Sequence, residues 1–166
     1  MRKPTGILGL AILGLALAGC DGGEMLACTE IGSPAGIAVS VTGTDTQQAA
    51  RVAVKACWDG DCQTKTADLF ESTEAGPEQC KGTAPDATCS VTMIPTGDKN
   101  GFVELPTLPE VAVELEVSVL DGNGVALVQG AATLTPELTF PNGPKCPAGG
   151  VQGTVTIDSA GNISAS

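Results

Sequence analysis

Apolar side chains recur at every second position through most of this chain. Ile37, Val39 and Val41 alternate with small or polar residues, and Val52, Val54 and Ala56 repeat the pattern toward an Asp59-Gly60 pair. Cys89, Val91 and Met93 fall on one face of a later run, which leads through a Gly-containing turn into Gly101-Phe102-Val103-Glu104-Leu105. The clearest alternation is Val111, Val113, Leu115, Val117 and Val119, with Ala112, Glu114, Glu116 and Ser118 between them. Asp121-Gly122-Asn123-Gly124 then turns the chain into the run 125–134. Val151, Val155 and Ile157 alternate with Gln152, Thr154, Thr156 and Asp158, and Ser159-Ala160-Gly161-Asn162 predicts one more hairpin. A period of two is the mark of strands with one face covered. No segment carries apolar residues at helical spacing, and 69–86 is the longest irregular part, compatible with a short helix or an open loop. Seven to nine short strands, with turns about every ten residues, predict an all-β, antiparallel β-sandwich whose element order is immunoglobulin-like.

The first residues follow a different rule. Arg2 and Lys3 precede fourteen uncharged positions, 6–19, rich in Leu, Ile and Ala. A membrane-spanning helix needs about 20 apolar residues, so the run fits the core of a secretory signal that ends in small residues. The residue after that small pair is a cysteine, and Leu17-Ala18-Gly19-Cys20 resembles the bacterial lipobox at all four positions. The resemblance implies cleavage between Gly19 and Cys20 and acylation of the Cys20 thiol. It further implies a product held by lipid at the cell membrane, facing the extracytoplasmic side. One acyl chain binds a bilayer only marginally, whereas two or more anchor stably. The chain then divides into a signal, 1–19, an anchor with a short linker, 20–27, and a β-sandwich domain, 28–166. The late Pro141-Asn142-Gly143-Pro144-Lys145-Cys146 is also similar to small lipoproteins of high-GC Gram-positive bacteria, a likeness that implies fold and location but no activity.

With Cys20 assigned to lipid, six of the seven cysteines remain. An even number in an exported chain predicts disulfides, with fifteen possible pairings. A two-residue turn at Asp59-Gly60 places Trp58 opposite Asp61 and Cys57 opposite Cys62, within bridging reach. Cys80 and Cys89 can close a short loop, which by elimination leaves Cys28 with Cys146. In an immunoglobulin-like order an early strand runs beside the last along an edge, so these two would share one end. Zinc is the competing use of Cys57 and Cys62, but their spacing is looser than that of zinc fingers and the chain has no His.

Charge and chemistry narrow the functional classes. Loss of Arg2 and Lys3 with the signal leaves six basic residues against nineteen acidic ones, a net charge of −13. Such a surface repels nucleic acid and anionic lipid. With neither His nor Tyr present, a Ser-His-Asp arrangement is excluded. Glu114 and Glu116 share a strand face about 7 Å apart, which reads as a solvated face rather than a catalytic pair. Asp121–Gly124 and Trp58–Asp61 offer clustered oxygens, but calcium takes six to eight and neither turn continues as an EF-hand loop. Trp58, the one Trp, is a candidate binding residue beside a hairpin tip, with packing over the Cys57–Cys62 bridge as its plainer use. The expectation is a non-catalytic, membrane-anchored binding module without cofactor, whose loops meet an unknown protein or envelope ligand. The alternatives are a thiol-redox or metal-handling lipoprotein using Cys57 and Cys62, and a passive structural lipoprotein of the envelope.

Overall fold

The computed structural model of the chain describes residues 28–82 and 87–166, so the lipobox with Gly19 and Cys20 lies outside the described residues. Among the described residues there is no α-helix, only one 3-10 turn, Thr44–Gln48. Eight strands have six residues or more: β1 (Gly36–Val41), β2 (Ala49–Trp58), β3 (Asp61–Asp68), β4 (Phe70–Ala75), β7 (Met93–Glu104), β8 (Val113–Asp121), β9 (Ala126–Leu134) and β11 (Val151–Ile157). Four short ones accompany them: β5 (Gln79–Lys81), β6 (Thr88–Ser90), β10 (Glu137–Leu138) and β12 (Ile163–Ala165).

Two sheets stack face to face. One runs β10-β11-β1-β7-β4, with β12 paired to the end of β11, and the other runs β3-β2-β8-β9. Their inner faces are the predicted alternating positions. Ile37, Val39, Val41, Val103, Val155 and Ile157 from the first sheet meet Val52, Val54, Ala56, Val113, Leu115, Val117 and Val119 from the second. Every buried hydrophobic residue in this core is aliphatic. β-Branched Val dominates because its stiff side chain suits a pleated, covered surface.

β1 pairs in parallel with β11, from Gly36↔Gln152 to Val41↔Ile157, and antiparallel with β7 on its other side. The first and last long strands therefore lie side by side, as the immunoglobulin-like order requires, but β1 sits inside the sheet and not along an edge. Both start at the end where Cys28 is bonded to Cys146. The opposite end gathers the 3-10 turn, the β8–β9 turn and the β11–β12 turn.

Three expectations are corrected. Val111 is 46% exposed, because the strand starts at Val113, opposite the last residue of β9. Residues 69–86 are not an open loop or helix throughout, since β4 and β5 form there. The sequence FESTEA of β4 has no alternation to reveal it, and its pairing with β7 supplies the order. Cys89, Val91 and Met93 are split between β6, a non-strand link and β7, and all three are exposed. They belong to an arm in which β7 runs on past its last pairing with β1, Val41↔Lys99, accompanied by β4. No second sheet covers this stretch, so its side chains face solvent on both sides. The β5–β6 hairpin with the Cys80–Cys89 bridge lies at the tip of the arm.

The chain-entropy account orders the bridges by the loop each closes: Cys28–Cys146 spans 118 residues, Cys57–Cys62 only 5. Replacing the first pair by Ser should therefore lower unfolding free energy by about 4–5 kcal/mol, and replacing the second by about 2 kcal/mol. Denaturant unfolding of the two double variants checks the order; a larger loss for the short loop would contradict it.

Candidate functional site

At the end opposite Cys28–Cys146 lies a cleft of 420 Å³ lined by both sheets. Its floor is the outermost layer of the core: Val41 closing β1, Ala49 opening β2, Val119 of β8 and Ile157 closing β11. Thr42, Gln129 and Ser159 stand at its polar rim. One wall is the beginning of β9, where Leu127 is partly exposed at 37%. A floor of aliphatic carbons with a few polar groups around the mouth is the usual make-up of a small ligand site.

Two turns of the same design frame the region. Asp121 Oδ1 accepts the backbone N–H of Asn123 and of Val125, each at 2.8 Å. Asp158 Oδ1 accepts those of Ala160 at 2.8 Å and Asn162 at 2.9 Å, while its Oδ2 accepts the Asn162 side-chain amide at 2.8 Å. In each the fourth residue is a glycine at positive φ, Gly124 at 86° and Gly161 at 80°. That is the conformation an Asp-led turn closing a hairpin demands, and only glycine adopts it freely. The backbone hydrogen bond from Val125 leads in holding the Asp121 carboxyl below its ordinary pKa, and for Asp158 the Asn162 side chain leads. Beneath them the buried Thr46 hydroxyl lies between the carbonyl oxygens of Gly43 and Gly97, tying the 3-10 turn to the base of the arm. Lys99 Nζ donates to the Ala49 carbonyl at 2.7 Å and fastens β7 to the start of β2.

The residues singled out in the sequence are spread over the molecule. All three disulfides form as paired above, with Cys57 directly opposite Cys62 and Trp58 opposite Asp61. Cys80, Cys89 and Glu78 form a cluster of metal-type donor atoms, but the two sulfurs are bonded to each other. Trp58 lies at the Cys28–Cys146 end, away from the cleft. It packs against the core, whereas the adjacent Cys57 faces out from the sheet, so Trp58 does not lie over the bridge as expected. Alternation along β2 sends neighbouring side chains to opposite faces. Glu116 is bound to Lys55 at 2.9 Å on the outer face, and Glu114 stands two residues away on the same face. The acidic turns weighed for calcium spend the Asp121 oxygen on backbone, and Asp59-Gly60 is the two-residue hairpin loop.

Sequence reasoning missed the cleft. Its lining comes from segments 41–49, 119, 127–129 and 157–161, which no local pattern joins. One signal was present: Asp-x-x-Gly-x occurs at both Asp121 and Asp158, each directly after a strong strand. Compared with known protein families, with curated proteins and with solved structures, the chain shows no match.

The lowered carboxyls make these turns acid-sensitive. A carboxyl whose pKa falls on folding binds fewer protons in the native state, so its stabilisation is present above the unfolded value near 3.9 and is lost as pH drops through the folded value. Asp121→Asn with Asp158→Asn should therefore lose part of the fall in thermal midpoint seen below about pH 4. Melting curves between about pH 2 and 6 read this directly, and an unchanged acid dependence in the double variant would refute it.

Proposed function

We propose that this chain is a lipid-anchored, extracytoplasmic binding module that holds its ligand at the end opposite Cys28–Cys146. The observation that carries the reading is polarity of placement. The linker 20–27 joins the domain at Cys28, and eight residues reach about 28 Å at most. The Cys28–Cys146 end is thereby kept near the bilayer. The cleft and the arm lie beyond the far ends of β1 and β11, where they face away from it. β2, ten residues long, separates the two ends by about 33 Å. The cleft offers an apolar floor, hydroxyls, an amide and the Asp158 carboxylate, whose oxygens are already bonded within their own turn, a set suited to holding a ligand.

Intact mass of the chain extracted from native membranes tests the anchor. The expected product starts at an acylated Cys20 and shows six alkylatable thiols only after reduction. An unacylated Cys20, or thiols free before reduction, overturns it. The placement of the site is tested by Ala160→Trp, which puts an indole into the cleft mouth. An envelope component retained by the full chain should be lost by this variant, with the thermal midpoint unchanged; equal retention would move the site elsewhere.

A further inference from the structure

The cleft is bordered by a strand edge with no hydrogen-bonded neighbour, although Ile163 of β12 packs on its Gly130 from the other sheet. β9 is the outer strand of its sheet, paired only with β8. Its sequence, ALVQGAATL, holds no charge and no proline over nine residues. The other long outer strands do not share this. β3 carries Asp61, Lys65 and Asp68, and β4 carries Glu71 and Glu74. Charges of that kind are how sheet edges resist adding a further strand. In a chain of net charge −11, β9 is the long edge where an extended segment can approach without meeting a carboxylate on the strand itself.

The register tells which backbone groups are free. Cys57 and Cys62 stand with Cα atoms 4.1 Å apart, the spacing of a pair that does not exchange backbone hydrogen bonds. Cys57 therefore bonds toward Glu114 of β8, its partner on the other side. Glu114 then points away from its β9 partner Thr133, and the same parity runs through Glu116↔Ala131 and Ser118↔Gln129. The hairpin end agrees, since the Asp121 N–H donates to the Val125 carbonyl and so points across to the β9 side. The N–H and C=O of Gln129, Ala131 and Thr133 accordingly face outward along the edge. The opposite parity sends Val128 toward the other sheet, next to the cleft.

We infer that the free edge of β9 takes an extended peptide segment of a partner protein by strand addition, with one apolar side chain of the peptide seated in the 420 Å³ cleft. This rests on the reading of that end as the binding surface and names the class of partner. Main-chain hydrogen bonds to Gln129, Ala131 and Thr133 hold the segment, and the pocket beside Val128 chooses the side chain. The acidic surface selects a segment that is neutral over the strand and basic in its flanks.

A displayed library of random ten-residue peptides, selected against the full chain, tests it. The labelled winners are then titrated against three proteins: the wild type, Ala131→Pro and Ala160→Trp. Proline at 131 removes one outward N–H and no bond to β8, a substitution that edge strands tolerate. The expected result is a set of enriched sequences with alternating apolar positions and basic flanks, whose affinity falls at least ten-fold in both variants while thermal midpoints hold. Winners sensitive to Ala160→Trp but not to Ala131→Pro would keep the cleft as a binding site and overturn strand addition. Winners indifferent to both, or no enrichment at all, would overturn the peptide and the binding surface together. A dimer that forms with rising concentration, is abolished by Ala131→Pro and comes without peptide enrichment would assign the edge to a second copy and also overturn the proposal.

Discussion

Pairing between β1 and β11 is the contact on which the rest of the molecule hangs. It joins residues more than a hundred positions apart, from Gly36↔Gln152 to Val41↔Ile157, and it is parallel, so no hairpin can supply it. β1 is also the inner neighbour of β7, so the same strand holds the middle of the sheet together. Long loops are costly to close, and Cys28–Cys146 fixes the start of this pairing covalently. Once β1 and β11 lie in register, their far ends also fall together. Val41 and Ile157 then become the floor of the cleft, and the turn after Ile157 becomes its rim. Fold closure and candidate site are thus products of one contact.

The core reaches this arrangement without aromatic bulk. Aromatic residues make up 2% of the chain, and the buried set is Val, Leu, Ile and Ala. Small aliphatic side chains let the two sheets approach closely at their margins. At one margin Ile163 of β12 fills the space above Gly130, where a Cβ would stand 2.8 Å from its Cδ1. This contact closes the sandwich between β9 and β12 below the cleft without a hydrogen bond between the strands. Nearer the strand's beginning, Leu127 and Val128 instead line the cleft together with Gly161. Three disulfides add covalent constraint to this aliphatic core.

Much of the fold was legible because the physics that builds it is local and periodic. Val113, Leu115, Val117 and Val119 announce a half-covered strand from their spacing alone, and Asp59-Gly60 announces the turn that sets Cys57 against Cys62. The arm was not legible. In β4 and the first half of β7 both faces meet water, so nothing selects an alternating pattern, and the strands exist because they pair with each other. Trp58 was legible as a hairpin residue but not as a core contact, since which face a strand-end side chain takes depends on where the other sheet stops. Of the site, only the repeated Asp-x-x-Gly-x was readable, because each turn is made by five consecutive residues.

The amino-acid sequence by itself therefore determined the class of element, the turns, the local Cys57–Cys62 pairing and the net acidity of the chain. Each of these follows from side-chain chemistry acting over a few neighbouring residues or from the count of charges. Only the tertiary structure decided that β1 lies inside its sheet, that β4 and β7 project as an arm, and that a cleft opens beside an uncharged outer strand. Those features arise where separate segments meet, and the depth of the cleft depends on how far apart two packed sheets stand at their ends. No stretch of the chain carries that distance in its own pattern.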